Sequence, residues 1–256
     1  MMHRVERLAT KLTTIVSSWP GVECILSCEA SDTDVIDPYF ALVLDVYCEG
    51  KIPSGEERQS FFDNPGAFET SRSGEKDRFF LDSLPIRLEY KRTKNVDELV
   101  SHSFDTMWIF GSSGTYMLYR LANGKTLFSK SDWLDRTRRA LEDTPAEFWD
   151  RLKETHLQKM EHFLSDLGGA AFKDDRYFYF VSLAGFMRAC VSVLFARNRQ
   201  WEPSERHMAD AISSLSLLPE DFMGRWNTLM RTDGMIDPAK RYQIAQLIAR
   251  SVFALG

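Results

Sequence analysis

This chain of 256 residues lacks the features that define several common protein classes. It has four cysteines, Cys24, Cys28, Cys48 and Cys190, and no CxxC pair, so neither a disulfide framework nor a zinc site is indicated. No continuous apolar run reaches the roughly 18 residues of a membrane span. The amino-terminal segment alternates charged and apolar residues and does not look like a signal peptide. We therefore expect a cytoplasmic protein with buried, reduced thiols.

The sequence also has no basic cluster, no internal repeat and no low-complexity tract. The formal net charge is −5, and the lysines and arginines are scattered along the chain. A standing affinity for nucleic acid needs concentrated positive charge, so we expect a small or locally bound substrate instead. The sequence leaves the oligomeric state open.

Hydrophobic periodicity divides the chain near residue 130. Residues 1–130 combine helix and strand signals, and we expect them to form an α/β domain with a mixed sheet. Residues 131–256 have helical periodicity bounded by Pro, Gly and capping residues, which predicts an all-helical bundle. No flexible linker separates the two parts. The predicted fold class is therefore α+β, with a mixed-sheet domain followed by a helical domain.

Several elements of the first domain can be placed individually. An amphipathic helix should end at Trp19-Pro20-Gly21, and a second short helix should begin after Ser54. Strands are predicted at 22–28, 39–47 and 84–91. The Asn123-Gly124 pair between apolar runs predicts a hairpin that ends the sheet, and the polar stretch 64–77 is predicted to be a mobile loop.

Two acidic residues in the strands are candidates for a functional site. Asp45 is the only charge in a nearly continuous apolar strand, and burying an unpaired charge is costly. It is therefore functional, paired with a cation, or near an open strand end. Glu89 lies on one strand face between Arg87 and Lys91, where it is either part of a site or part of a solvated, ion-paired face.

A set of short motifs resembles the DNA-polymerase-β-like nucleotidyltransferases. In that superfamily a small pair ends the first strand, an acid follows about ten residues later, and another acid comes from a later strand. Ser27-Cys28, Asp37 and Glu89 follow this order, with Tyr39 at the position of a usual second acid. The segment 194–208, LFARNRQWEPSERHM, is similar to the helical carboxy-terminal domain of the antibiotic-type members.

This resemblance implies an Mg²⁺-dependent enzyme that moves a nucleoside monophosphate from a nucleoside triphosphate to an acceptor. The acceptor would be a small hydroxylated molecule or a protein side chain. The resemblance implies that Asp37 and Glu89 are catalytic and hold the metal, and that Ser27, Cys28 and Arg206 bind the nucleotide. The strand patterns add Asp45 as a further candidate catalytic residue and Lys91 as a further candidate for nucleotide binding.

A second interpretation uses the same resemblance. Because the small pair has lost its glycine and Tyr39 replaces an acid, the fold could serve as a catalytically degenerate module that binds a ligand or a partner. Individual residues also have structural interpretations. Asp37 precedes Pro38 and fits a turn, and Arg206 fits an exposed helix charge.

Overall fold

The computed structural model describes residues 4–28, 41–101, 107–232, 234 and 236–255. It forms two compact units, one made of Met1–Ser103 and Leu118–Asp143 and the other of Phe104–Met117 and Thr144–Gly256. The first unit contains the sheet, and the second is helical. This confirms the α+β class with a mixed sheet followed by helices. The expectation that residues 1–130 form a domain stays a prediction.

The first unit is built on one six-stranded sheet. The strands are β1 (Val22–Cys28), β2 (Leu42–Cys48), β3 (Gly66–Thr70), β4 (Lys76–Leu81), β5 (Leu84–Arg92) and β6 (Lys125–Ser129). Their order in the sheet is β3-β4-β5-β2-β1-β6. Only β2 and β5 run parallel, and the other neighbours are antiparallel. The strands predicted at 22–28, 39–47 and 84–91 correspond to β1, β2 and β5.

One face of this sheet is covered by helix α1 (Arg4–Ser17). Leu8, Leu12 and Val16 recur at helical spacing and pack against the apolar side chains of the central strands. The helix ends before Trp19 and Pro20, as the sequence predicted. Burial of this stripe fixes α1 on the sheet and leaves the other sheet face for the charged residues described below.

The remaining helices of this unit are short. They are α2 (Gly55–Phe61), α3 (Thr93–Val100), α5 (Tyr116–Asn123, in this unit from Leu118) and α6 (Trp133–Glu142). Ser54 caps α2 in a capping box with Glu57, which confirms the predicted start. The ring of Trp133 packs against that of Tyr47, which places the start of α6 over β2 on the face opposite α1.

The predicted hairpin around Asn123-Gly124 is wrong, because residues 116–123 form helix α5. Leu118 and Leu121 are both buried, and their spacing of three residues places them on one face of a helix. Gly124 ends α5 and leads into β6, which pairs with β1. A side chain at Gly124 would lie 2.6 Å from the carbonyl oxygen of Arg120 and 3.2 Å from the thiol of Cys28. The glycine therefore permits close approach of helix and strand.

The predicted mobile loop at 64–77 is also wrong. Its residues form β3 and the start of β4, joined by a turn in which Gly74 has φ of +73°. β3 is the edge strand of the sheet and β4 is next to it, and much of their side-chain surface is polar and exposed. An edge hairpin and a loop have similar compositions, which explains the error.

The second unit consists of helices. They are α4 (Met107–Ser113), α7 (Ala146–Lys173), α8 (Arg176–Arg197), α9 (Met208–Ser213), α10 (Phe222–Leu229) and α11 (Pro238–Phe253), with a 3₁₀ turn at Glu205–His207. α7 packs along α8, and α11 packs on both. Their shared core includes Met160, Leu167, Phe186, Leu194, Trp226 and Ile248. The predicted helical carboxy-terminal part is confirmed.

Helix α8 is long and apolar enough, by length and composition, to cross a membrane. Within the ranges that the structure describes, it is the one helix that meets this test. However, 61% of its apolar window is buried inside the protein. Phe186, Cys190 and Leu194 are all fully enclosed by the bundle. Such burial is typical of the central helix of a helical core.

A buried ion pair joins α2 to the edge of the sheet. Arg58 donates to both carboxylate oxygens of Asp77, at 2.7 and 2.9 Å, and Tyr90 and Thr70 also donate to that carboxylate at 2.7 and 2.8 Å. The guanidinium also reaches the carbonyl oxygens of Pro53 and Gly74. This full set of partners offsets the cost of burying two charges, so we interpret the pair as structural.

We expect Arg58→Ala to lower the free energy of unfolding by about 3–5 kcal/mol, because it leaves Asp77 buried without its cation. Urea denaturation of the wild type and the variant measures the difference. Arg72→Ala, at an exposed position nearby, is the control and should change stability by no more than about 0.5 kcal/mol. Equal effects of the two substitutions would contradict this interpretation.

Candidate functional site

The parallel pairing of β2 and β5 brings Asp45 and Glu89 together. The two residues are direct register partners, so their side chains leave the sheet on the same face. Lys91 is two residues after Glu89 on β5, and its side chain lies on this face as well. The same face of the neighbouring strand β4 carries Lys76, the register partner of Glu89. Two carboxylates and two ammonium groups thus come from three adjacent strands.

The Asp45 carboxylate is fully buried and is held by two cations. The ammonium of Lys91 lies 2.7 Å from Oδ2, and the guanidinium of Arg120, from α5, contacts Oδ1. The Tyr47 hydroxyl donates a longer hydrogen bond of 3.4 Å to Oδ2. Of the three alternatives that the sequence left for Asp45, pairing with a cation is therefore the one observed.

Glu89 shares the same cations. Arg120 donates to Oε2 at 3.0 Å, Lys76 lies 3.2 Å from Oε1, and Lys91 lies 3.9 Å from Oε2. Burial raises the pKa of Glu89, but Arg120, Lys91 and Lys76 together outweigh this effect and hold the pKa below its usual value. Glu89 is therefore ionised at neutral pH. We call Asp45, Glu89, Arg120, Lys91 and Lys76 the charge network.

Arg120 bridges the two carboxylates. Burial by itself lowers the pKa of this guanidinium, but the charges of Asp45 and Glu89 outweigh burial, and the net pKa is raised. A planar guanidinium can reach two acids at once, which a lysine ammonium does less well. Arg120 therefore fixes the end of α5 against the centre of the sheet.

The thiol of Cys28 borders the charge network at the end of β1. Its sulfur is 3.7 Å from Oδ2 of Asp45 and 3.8 Å from the carbonyl oxygen of Arg120. Burial, and the charge of Asp45 after it, raise the pKa of this thiol to about 12. Cys28 is thus a neutral thiol at physiological pH, and it can donate a weak hydrogen bond.

The structure brings only some of the sequence-predicted site residues together. Asp45, Glu89, Lys91 and Cys28 meet as described. The adjacent Ser27 alternates to the other face of β1, and its buried hydroxyl has no hydrogen-bond partner among the described residues.

Two further candidates are not part of this cluster. Asp37 lies outside the described residues. Arg206 belongs to the helical unit, where it is exposed on the 3₁₀ turn and its backbone N–H donates to the Ser204 hydroxyl. Its implied role in binding a nucleotide stays a prediction.

The described residues alone do not fit a magnesium ion. Both carboxylates of the charge network are held by protein cations, and no group of three His, Cys, Asp or Glu side chains with metal-binding geometry occurs in the described ranges. Magnesium prefers an octahedral shell rich in oxygen, usually with several waters. In this arrangement ammonium and guanidinium groups contact the oxygens that such an ion would need.

Sequence reasoning missed Arg120 and Lys76. Arg120 was placed in the expected hairpin, and Lys76 in the expected loop. A lone acid in a buried strand did signal that a cation was needed, but it did not identify which one. Arg120 is 75 residues away in the chain, and only the fold brings it to Asp45.

More cations lie on the sheet face beyond the charge network. Arg78 and Arg87 are register partners on β4 and β5. They form the next pair on the same sheet face after Lys76 and Glu89. Arg78 is exposed and Arg87 is half-buried. On β3, Glu69 is the register partner of Arg78 and partly balances this charge. The face that β4 and β5 present around Glu89 is nevertheless mainly basic, although the whole chain is acidic.

Part of the chain matches a known protein family. A family model, described as a domain of unknown function (DUF4037), matches residues 112–207, which is less than half of the chain. No curated protein matches. A solved structure of a nucleotidyltransferase-like protein from Exiguobacterium sibiricum 255-15 is similar with a TM-score of 0.48 and 10% identity, over 97% of this chain and 74% of that one. A likeness of this degree identifies neither a family nor an activity.

The lowered pKa of Glu89 predicts a pH-dependent contribution to stability. Its folded-state pKa is below 4.5, so the contribution is complete above that pH and is lost as pH falls through the folded-state value. We expect Glu89→Gln to destabilise the protein at about pH 7, and to do so progressively less towards about pH 3.

Urea denaturation across this pH range measures the effect. Glu98→Gln, at an exposed position on α3, is the matched control and should show little pH-dependent difference from the wild type. A Glu89→Gln effect that is constant with pH would mean that the ion pairs with Arg120, Lys76 and Lys91 do not stabilise the fold.

Proposed function

We propose that the α/β unit has a nucleotidyltransferase-type fold and binds a ligand that carries phosphate. The ligand we propose is a nucleotide, and no metal-dependent transfer reaction follows its binding. The observation that carries this proposal is the pairing of Asp45 and Glu89 with Arg120, Lys91 and Lys76. Glu89, which the resemblance assigns to the metal, is here held together with Asp45 by the protein's own cations.

The energetics of the charge network favour this proposal. A magnesium ion at Glu89 would have to displace Arg120 and Lys76 from its carboxylate. The guanidinium of Arg120 would then lie beside a second cation without this acid, and breaking a buried pair typically costs about 3–5 kcal/mol. A site that keeps its carboxylates paired in this way is suited to a ligand that makes contact with the cations.

The charge balance and exposure indicate where a phosphate would bind. The charge network contains three cations and two acids, so its net charge is positive. The side chain of Lys76 is 36% exposed, that of Lys91 is 16% exposed and that of Arg120 is 8% exposed. Lys76 is therefore the cation that a ligand meets first, with Arg78 on the same strand beside it. Charge-assisted hydrogen bonds from such groups are the strong contacts of phosphate sites.

Transfer of a nucleoside monophosphate is the second candidate function. It is favoured by the position of Glu89 on β5, directly beside β2, since the superfamily resemblance requires an acid from a later strand. In this case Asp37 would supply a further ligand for Mg²⁺, and Arg206 would bind the nucleotide phosphates. The acceptor would be a small hydroxylated molecule or a protein side chain.

We also propose a cytoplasmic location. The four cysteines are free and buried, and no two of them form a disulfide. Reduced thiols fit a reducing compartment.

We expect ATP to bind the full chain as well in EDTA as in Mg²⁺, and Lys76→Glu to weaken binding about tenfold or more, because it replaces a cation by an acid at the ligand. Calorimetric titration measures both affinities. Lys94→Glu, on the highly exposed surface of α3, makes the same charge change and should leave the affinity within about twofold.

The two candidate functions give different results in this experiment. Binding that requires Mg²⁺ and is lost in Asp37→Ala, together with pyrophosphate release, would contradict the proposal and support the transferase. No binding of ATP or the other nucleoside triphosphates under either condition would contradict both.

A further inference from the structure

The helical unit contains a cavity that is separate from the charge network. Its volume is about 510 Å³, within the roughly 300–1,000 Å³ that is typical of small-molecule sites. It lies where the end of α7, the start of α8 and the start of α11 meet. Its apolar lining includes Ala170, Ala171, Ile236 and Pro238.

Two buried polar groups at this cavity lie close to each other but make no hydrogen bond of standard geometry within the described residues. They are the Tyr179 hydroxyl and Nε of Arg241, and both side chains line the cavity. Tyr179 is only 5% exposed. Leaving such groups unsatisfied costs about 1–3 kcal/mol each, so buried tyrosine hydroxyls and guanidinium groups normally have a partner. The missing partner is an acceptor, because a guanidinium only donates and a phenol donates readily.

A hydrogen bond to the backbone holds the Arg241 side chain in place. Another of its nitrogens donates to the carbonyl oxygen of Arg231 at 2.6 Å, which orients the guanidinium while Nε stays available. Burial raises the pKa of Tyr179, and the nearby Arg241 opposes this rise only in part. The hydroxyl is therefore a neutral donor at physiological pH.

The charged groups around the cavity are close to balance, so its hydrogen-bond donors are what an anion would use. Arg176, Arg231 and Arg241 line it, and Asp174 and Asp175, with Asp237 next to the cavity, oppose them. The carboxylate of Asp175 is already used, since it accepts from the backbone N–H of Phe178 at the start of α8. Asp237, next to the cavity, likewise caps α11 by accepting from the backbone N–H of Lys240. The start of each helix is thus capped by its own aspartate, and the Tyr179 hydroxyl and Nε of Arg241 are the donors at the cavity that a ligand can use.

We propose that this cavity binds a small organic anion. Its carboxylate or phosphate would accept hydrogen bonds from the Tyr179 hydroxyl and Nε of Arg241, with Arg176 at the mouth of the cavity. Its apolar body would pack on Ala170, Ala171 and Ile236. Phe180, which is exposed and also lines the cavity, provides an aromatic edge for the body of the ligand.

The test uses the full chain and three probes: phenyl phosphate, inorganic phosphate and benzyl alcohol. We expect phenyl phosphate to bind more tightly than inorganic phosphate, because only the aryl group can use the apolar lining. Benzyl alcohol has the ring without the charge and should not bind measurably. Equal affinity for phenyl phosphate and inorganic phosphate would contradict the proposal that the ligand has an apolar body. Failure of both to bind would contradict the proposal that the cavity is an anion site.

Tyr179→Phe tests the hydroxyl directly. We expect it to weaken phenyl phosphate binding about tenfold, the loss that follows from one hydrogen bond to a charged group. The ligand-free variant should be as stable as the wild type or more stable, since the substitution removes an unsatisfied buried hydroxyl. Tyr177→Phe, at an exposed position on the same helix, is the control and should change neither property.

Two arginine substitutions test whether a positive charge at the cavity contributes to binding. Arg176→Ala should weaken phenyl phosphate binding severalfold, whereas Arg250→Ala, exposed near the end of α11, should not. Unchanged affinity in both Tyr179→Phe and Arg176→Ala would overturn the proposal. Lys76→Glu, in the other unit, should leave phenyl phosphate binding unchanged, and Tyr179→Phe should leave ATP binding unchanged. Failure of this proposal is thus separate from failure of the proposed function.

Discussion

The contact between Asp45 and Arg120 is the interaction on which the α/β unit depends. Asp45 has no exposure to solvent, so its charge would be prohibitively costly without a cation close by. Arg120 is 75 residues away in the chain and reaches Asp45 from α5. The position of α5, its ending at Gly124 and the entry of the chain into β6 all have to be compatible with this contact. The pair therefore links the centre of the sheet to its last strand.

The same contact explains why the charge network is suited to binding. Arg120 also holds Glu89, and Lys91 and Lys76 complete the charge balance around the two acids. Buried ion pairs add little net stability compared with apolar packing, but they are costly to disrupt. A metal ion would have to disrupt them, whereas an anion can contact the lysines and leave the pairs in place. On this ground we propose phosphate recognition, and not metal chemistry, at the described acids.

Much of the fold could be predicted from the sequence, because hydrophobic periodicity depends on local spacing. The stripe of Leu8, Leu12 and Val16, the alternation in β5 and the capping residue Ser54 each gave the correct element. The errors fell where local patterns are ambiguous. Residues 116–123 have apolar residues that suit a strand or a helix, and the hairpin of β3 and β4 has the composition of a loop.

The site was predictable only in part, for a related reason. Asp45 was recognisable because a charge within an apolar strand is unusual, and Glu89 because it fits the superfamily resemblance; the parallel register of β2 and β5 then made them neighbours. The register itself and the identity of the cations depend on contacts between distant segments. Lys91 was found because it is adjacent in β5, whereas Arg120 and Lys76 lie on elements that the sequence placed incorrectly.

A double-substitution cycle on Asp45 and Arg120 tests the central claim most directly. The free energy of unfolding would be measured for the wild type, Asp45→Asn, Arg120→Met and the double variant. If the pair is the interaction described here, each single substitution is strongly destabilising, and the double variant is more stable than the sum of the two losses predicts, by about 2 kcal/mol or more. Additive losses, within about 0.5 kcal/mol, would mean that the two residues act independently, and would contradict the account.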